Sequence, residues 1–322
     1  IRWDVVLDTF QYVKIVVASL VICKRVILSN VASLFDPLAL LSPILILGRQ
    51  IFQRCVRLGL EWDEPVPAEL RELWSRWSES LARLESLSFP RCIVPPGYES
   101  AEAELHHFCD GSLSAYGVCS YLRLQVGDSV FVSLVCARAR LVPLNVLTVP
   151  RVELCGAKMA TDAEEVLRRD LDLDLRTSTY WCDSQVVLAY INSEAGRFKP
   201  FASNRVSSIR SRSDPSQWRY IPTDLNAADV VTKGCLPEDV PASWFHGPEF
   251  LSLPRHRWSE FAPNLVIPDV SGDDGEVRRS VAVHTVAPSP VTPSSVHPLD
   301  KLLSHYSDYS RLLRAVSWLR RV

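Results

Sequence analysis

Four acidic residues stand where an α/β fold can bring carboxylates together. Asp110 and Asp183 each follow an apolar run that is typical of a strand. Glu153 lies near the start of a predicted helix, and Asp229 begins another. Strand ends and helix starts meet at one edge of an open sheet, where active sites form in such folds. Converging carboxylates repel one another unless cations neutralise them, and hard oxygen ligands favour Mg²⁺ or Mn²⁺ over Zn²⁺.

Each of these residues also has an ordinary structural explanation. Asp110 precedes Gly-Ser and is typical of a solvated turn. Glu153 can complement a helix dipole, Asp183 can belong to a cap, and Asp229 can be a first-turn carboxylate. All four explanations would have to hold at once in one order of elements. We therefore favour the cation site.

The elements that must position these residues lie between residues 103 and 235. Strands are predicted at 105–109, 116–124, 130–137, 177–182 and 217–222, and helices at 151–171, 184–192, 198–210 and from 227. Ser184 is a predicted N-cap. The order β-β-β-α-β-α-α-β-α predicts an α/β fold with a mixed five-stranded sheet and flanking helices.

The flanking regions have a different character. Residues 1–30 are Val/Ile-rich and predict extended segments, and 29–57 predict short helices interrupted by prolines. Residues 67–87 predict one amphipathic helix, whose tryptophans we assign to core packing. Residues 262–298 are rich in Pro, Ser and acids, which predicts a flexible linker, and 299–322 regain helical periodicity.

Composition limits the classes of protein. The 322 residues carry a formal net charge of -2, and 47% are hydrophobic. The chain is thus neither wholly disordered nor basic throughout, although a local basic face remains open. Nine cysteines without a C-x-x-C pair argue against a disulfide framework and a zinc ribbon, and favour a reduced intracellular compartment. We expect no membrane span, and the start at Ile1 suggests a fragment of a longer polypeptide.

Many ordered words in the chain resemble one family of mobile elements. They include L-F-D-P-L-A-L-L-S-P (34–43), E-W-D-E-P-V-P (61–67), E-L-H-H-F-C-D-G-S (104–112), V-P-R-V-E-L-C-G-A (149–157), W-C-D-S-Q-V-V-L (181–188), P-S-Q-W-R-Y-I-P (215–222), N-A-A-D-V-V-T-K-G (226–234) and W-F-H-G-P-E-F-L (244–251). In these words the chain resembles the Pol polyprotein of Bel/Pao-type LTR retrotransposons. The resemblance covers nearly the whole chain except the predicted linker. Gly111 stands where the family usually has Ala.

The resemblance implies a division into domains. Residues 1–100 would be a mostly helical reverse transcriptase thumb or connection region, and 101–236 a ribonuclease H-like domain. Residues 237–261 would follow that domain, 262–298 would be the linker, and 299–322 would begin a missing integrase region. The implied partners are an RNA–DNA hybrid and the remainder of the Pol polyprotein, with its reverse transcriptase and integrase, and no membrane. The implied location is a cytoplasmic virus-like particle or the nucleus.

The resemblance also implies an activity and its residues. Asp110, Glu153, Asp183 and Asp229 would bind two Mg²⁺ or Mn²⁺ ions and catalyse hydrolysis of the RNA strand of the hybrid. Arg151 resembles a substrate-contact position, and we expect Ser184, Lys199 and Arg205 to contact substrate as well. A solvated helix face is the alternative explanation for the basic residues.

Two other functions remain open. The chain could be an inactive or decayed Pol remnant that serves only as a nucleic-acid-binding or connection module. The family region is also labelled a retrotransposon peptidase. No Asp-Thr-Gly or Asp-Ser-Gly loop and no G-x-S-x-G elbow occurs in the sequence, so we treat that label as inherited.

Overall fold

The N-terminal part of the chain forms a small sheet and three helices. The computed structural model describes residues 1–12, 21–144 and 147–278. Strands β1 (Arg2–Asp4) and β2 (Thr9–Gln11) pair antiparallel. Helix α1 (Lys24–Ser33) follows, so the prediction that residues up to 30 are extended is wrong from Lys24 onward. Ile27 and Val31, one helical turn apart, are both buried, and this tertiary burial outweighs the β propensity of the Val/Ile-rich sequence.

Helices α2 (Ser42–Arg57) and α3 (Ala68–Ser80) complete this region. The single helix predicted for 67–87 ends at Ser80 and continues as a 3₁₀ helix to Ser86. At this junction the Ser80 hydroxyl donates to the Trp77 carbonyl. Trp74 and Trp77 are buried, as predicted, and the Trp77 indole donates to the Ile44 carbonyl at 2.9 Å. The chain then enters β3 (Ser88–Pro90), which pairs with β2.

A five-stranded mixed sheet follows, as predicted. Its strands are β4 (Glu102–Gly111), β5 (Ala115–Val126), β6 (Ser129–Leu141), β7 (Thr179–Cys182) and β8 (Trp218–Tyr220). The spatial order is β6-β5-β4-β7-β8. The first three strands are antiparallel, whereas β7 runs parallel to both β4 and β8. The β5–β6 hairpin turns at Gly127, whose φ of 57° suits a residue without a side chain.

Helices cover both faces of this sheet. Side chains alternate along the strands, so Phe108 packs into one core and Cys109 into the core on the opposite face. One core contains α4 (Val149–Asp170), α5 (Gln185–Asn192) and α6 (Pro200–Arg210). The other contains α1, α2 and α3 together with α7 (Asp229–Lys233) and α8 (Ser243–His246). The sheet is thus the middle layer of three.

The region predicted to be thumb-like shares its core with the sheet. Residues 1–278 form one compact unit, and buried side chains of α2 and α3 belong to the same cluster as Phe108 and Trp181. The Trp244 indole donates to the Leu40 carbonyl at 2.9 Å. The domain boundaries therefore stay a prediction, and no separate body is visible at residue 100.

The end of the described chain differs from the expected linker. Residues 262–278 contain no regular helix or strand, but Glu276 is buried and Val277 forms an isolated β-bridge with Phe198. The remainder of the predicted linker and the predicted helical segment 299–322 lie outside the described residues. None of the helices in the described part of the chain has the length and apolar character needed to cross a membrane.

Candidate active site

Two of the predicted carboxylates follow paired residues on neighbouring parallel strands. Cys109 of β4 is the register partner of Cys182 of β7. Asp110 and Asp183 come directly after these two residues, and their charges interact. Because the carboxyl ends of parallel strands meet at one edge of a sheet, both acids lie at the same edge.

Helix α4 brings Glu153 to this edge through two glycines. A Cβ atom placed on Gly111 would lie 2.5 Å from the backbone nitrogen of Glu153. A Cβ atom on Gly156 would lie 2.5 Å from the carbonyl oxygen of Asp110. Helix and strand therefore pack backbone against backbone at the point where the acids lie. Gly111 fits this contact without a shift of the chain.

Helix α7 supplies the fourth acid, and a buried asparagine anchors it. The Asn226 side chain donates to the Cys109 carbonyl at 3.0 Å and accepts from the Ala228 amide at 3.1 Å. The Asp229 amide donates to the Asn226 carbonyl at 3.0 Å. This asparagine thus ties the start of α7 to the end of β4, and the charge of Asp229 acts on Asp110.

Three of the four acids already have partners within the protein. The Thr232 hydroxyl donates to Asp110, and the Ser184 hydroxyl donates to Glu153 at 2.6 Å. Lys233 pairs with Asp229 at 2.9 Å. Within residues 1–12, 21–144 and 147–278, no three His, Cys, Asp or Glu side chains are already arranged to hold a metal ion.

The electrostatics of Asp110 and Glu153 favour a cation. Burial raises the pKa of Asp110, and the charges of Asp183 and Asp229 add to this, against the hydrogen bond from Thr232. Burial also raises the pKa of Glu153, and Asp183 and Asp110 add to it, against the hydrogen bond from Ser184. A bound cation would offset both the burial and the repulsion. The donors are carboxylate oxygens, so the set fits a hard cation such as Mg²⁺ or Mn²⁺.

A family model matches the part of the chain that carries most of this site. The model, described as the Pao retrotransposon-like RNaseH-like domain, matches residues 23–184, about half of the chain. The chain belongs to this family. The matched range includes Asp110, Glu153 and Asp183, whereas Asp229 lies beyond it. The predicted resemblance to a Pao-type retrotransposon family and the predicted ribonuclease H-like fold are therefore confirmed.

The chain was also compared with curated proteins and with solved structures. A search of curated proteins finds no match. Eight chains of solved structures match, among them the N-terminal RNase H domain of a Mycobacterium tuberculosis protein, solved as a fusion with maltose-binding protein. This chain is 14% identical to it, with 41% of this chain and 91% of that chain covered and a TM-score of 0.29.

The residues predicted to contact substrate fall into two groups in this Pao-type domain. Ser184 lies at the acids, where it donates to Glu153 and accepts from the Val187 amide as the predicted N-cap of α5. Arg151 and Arg205 lie beside the Phe201 ring, and Arg151 and Lys199 contact the 270–278 segment. Arg205 stacks over the Phe201 ring at 3.5 Å, and Arg151 lies 4.8 Å from the same ring.

Sequence reasoning missed three residues of this neighbourhood. Thr232 lies three residues after Asp229, and this helical spacing could have placed it beside the acids. Asn226 begins the same motif, residues 226–234, but nothing in the sequence indicates its contact with β4. Glu276 pairs with Arg151 across 125 residues, and no local pattern signals that contact.

Proposed function

We propose that this Pao-type domain hydrolyses the RNA strand of RNA–DNA hybrids. The observation that carries the proposal is the convergence of Asp110 and Asp183 on adjacent parallel strand ends, with the charges of Glu153 and Asp229 close by. Acids of this kind at one edge of a mixed sheet suit metal-dependent hydrolysis of a phosphodiester.

The four carboxylates would hold two Mg²⁺ or Mn²⁺ ions. Bound there, the ions would lower the pKa of the attacking water and stabilise the leaving 3′ oxygen. Thr232 and Ser184 each fix one carboxylate oxygen and thereby orient Asp110 and Glu153. Such outer contacts tune ligand geometry and basicity.

Basic residues beside the acids would position the nucleic acid. Arg205, held by its stacking on Phe201, and Lys199 at the start of α6 lie on the same side as Arg151. Phosphate contacts of this kind fix register without reading sequence. Preference for the RNA strand would come from contacts with 2′-hydroxyl groups in the minor groove.

The wider context follows from the family. We infer that the domain works as part of a retrotransposon Pol polyprotein, together with a reverse transcriptase and an integrase, in an element that integrates as DNA. A virus-like particle or the nucleus is where such a complex would act.

A second candidate function has one observation in its favour. Asp110, Glu153 and Asp229 are already engaged by Thr232, Ser184 and Lys233. Within the described residues, no three His, Cys, Asp or Glu side chains are arranged to hold a metal ion. An inactive remnant that only binds nucleic acid or connects other domains would have the same appearance. The two candidates differ in strand-specific cleavage.

Cleavage of a labelled RNA–DNA hybrid by the purified chain separates the two candidates. We expect cuts only in the RNA strand with Mg²⁺ or Mn²⁺, and none with EDTA or in Asp183→Asn. Asp174→Asn is the matched control, because Asp174 is exposed and precedes β7 at the end opposite to Asp183. A folded wild-type chain that leaves the hybrid intact would replace the nuclease proposal with the inactive module.

A further inference from the structure

An acidic segment of the chain contacts two of the residues predicted to bind nucleic acid, Arg151 and Lys199. Residues 271–276 read Ser-Gly-Asp-Asp-Gly-Glu, and we call residues 270–278 the tail segment. Glu276 accepts two hydrogen bonds from the Arg151 guanidinium, at 2.6 and 3.2 Å. The Glu276 side chain is only 8% exposed, so this pair is largely removed from water. Charge-assisted bidentate pairs of this kind are among the strongest that side chains form.

Two further anchors hold the tail segment. The Lys199 ammonium donates to the Gly275 carbonyl at 2.6 Å, and the Lys199 amide donates to the Glu276 carbonyl at 2.7 Å. The Tyr190 hydroxyl contacts both oxygens of the Asp274 carboxylate, at 2.8 and 2.9 Å. The Glu276 carboxylate therefore meets a cation, and the Asp274 carboxylate meets a hydroxyl donor.

The backbone of the tail segment also pairs with the domain. Val277 forms an antiparallel bridge with Phe198, and the Arg278 amide donates to the Arg197 carbonyl at 2.8 Å. The Arg197 guanidinium donates to the Val270 carbonyl at 3.3 Å. The segment thus lies along the start of α6, where the predicted substrate residues are.

The chemistry of these contacts is the chemistry of phosphate binding. Arg151, which the tail segment contacts, lies on α4, the helix that also carries Glu153. Arginine forks, lysine amines and backbone amides at a helix start bind phosphates as well as carboxylates. An anionic strand that engages Arg151 and Lys199 has to displace Glu276.

We propose that the tail segment, held by Tyr190, is a built-in competitor of the nucleic acid strand for the surface formed by Arg151 and Lys199. This proposal rests on the proposed function and adds its regulation: the domain binds a hybrid only after the tail segment leaves. A binding-competent state that is populated only in part weakens the apparent affinity by that fraction. Variants that release the segment therefore tighten hybrid binding.

The test measures the affinity of the full chain for a fluorescent RNA–DNA hybrid by anisotropy. All proteins carry Asp183→Asn so that the hybrid stays intact. Glu276→Gln removes the partner of Arg151 and should tighten binding about tenfold. Tyr190→Phe removes the partner of Asp274 without changing net charge and should tighten binding about threefold. Asp273→Asn changes the charge of the same segment at an exposed residue and should leave the affinity unchanged.

The outcomes separate this proposal from the function on which it rests. Tighter binding by Glu276→Gln and Tyr190→Phe, but not by Asp273→Asn, supports displacement. Equal affinities in all variants, or equal tightening by Asp273→Asn and Glu276→Gln, would overturn the competitor and leave hybrid binding intact. If no variant binds the hybrid, the proposed function and the competitor fall together. Near-ultraviolet circular dichroism confirms that each variant is folded.

Discussion

At the scale of single residues, two hydroxyl groups favour the ionised form of two of the acids. Thr232 donates to Asp110 and Ser184 donates to Glu153, whose pKa values burial raises. Both hydroxyls favour the ionised carboxylate that a cation needs. The acids were predictable because each follows a strand or starts a helix. Which hydroxyl pairs with which acid was not, since Ser184 is 31 residues from Glu153 and Thr232 is 122 residues from Asp110.

Ser184 provides a direct test of this residue-scale account. Ser184→Ala should lower the hybrid cleavage rate about tenfold to a hundredfold, because Glu153 loses the group that orients it. The lost N-cap of α5 should also cost about 1 kcal/mol of unfolding free energy. Ser184→Thr keeps the hydroxyl and should stay near wild type in both assays. Full activity of Ser184→Ala, measured at saturating metal, would show that this contact does not matter.

A second residue-scale prediction concerns acid stability. Burial would raise the pKa of Glu164, but hydrogen bonds with His107, Arg168 and Ser178 lower it to about 2. The unfolded state therefore binds more protons between the ordinary pKa near 4.5 and the folded value. The stabilisation is present above pH 4.5 and is lost as the pH falls towards 2, a total of about 3 kcal/mol.

Urea denaturation at several pH values measures this contribution. Glu164→Gln should lower the unfolding free energy at pH 7 and flatten its fall between pH 5 and pH 3. Glu165→Gln is the matched control, because the Glu165 side chain is 63% exposed and should leave the slope unchanged. Identical slopes for wild type and Glu164→Gln would show that Glu164 does not cause this loss of stability in acid.

At the scale of elements, the site depends on one close crossing of a helix over a strand. Helix α4 approaches β4 so closely that Gly156 contacts the Asp110 carbonyl without room for a Cβ atom. The strands and helices of the sheet region were predictable from their alternating and helical periodicities. Helix α1 was not, because its Val/Ile-rich sequence favours a strand. The burial of Ile27 and Val31 against the rest of the protein outweighs this preference.

The close crossing of α4 over β4 predicts that replacing a helical glycine by alanine lowers stability, although alanine favours helices. Gly156→Ala gains about 1 kcal/mol of helix propensity. The 2.5 Å contact with the Asp110 carbonyl forces a backbone shift, and overpacking of this kind costs about 1–3 kcal/mol. We expect a net loss of stability in thermal denaturation, together with loss of cleavage. Gly196→Ala, with no heavy atom within 4 Å of the added carbon, should change stability by less than about 0.5 kcal/mol. A stabilised Gly156→Ala would contradict the crossing.

At the scale of the whole molecule, the helices before residue 100 and the sheet share one core. The Ala137 amide donates to the Leu38 carbonyl, and the Cys235 amide donates to the Pro43 carbonyl, both at 3.0 Å. The resemblance to the Pol polyprotein implied a boundary at residue 100, near which the local patterns of the sequence also change. Patterns along the chain do not report which surfaces pack together, and so neither this shared core nor the docked tail segment could be predicted.

Removal of residues 1–100 tests this shared core. The shortened chain should lack a sharp thermal transition and should bind a hydrophobic dye, because the face of the sheet that carries Phe108 and Trp181 loses the part of its cover that α1, α2 and α3 supply. The full chain should unfold in one cooperative step over the same temperatures. A shortened chain that melts cooperatively within a few degrees of the full chain would support the predicted boundary instead.

The most direct test of the central claim is Mn²⁺ binding to the full chain, followed by electron paramagnetic resonance. The account predicts saturable binding of two ions, competed by Mg²⁺, and a rise in melting temperature with added metal. Asp183→Asn should lose this binding and Asp174→Asn should keep it. Equal binding by Asp183→Asn and wild type, or no saturable binding by either, would contradict the claim that these carboxylates form a cation site.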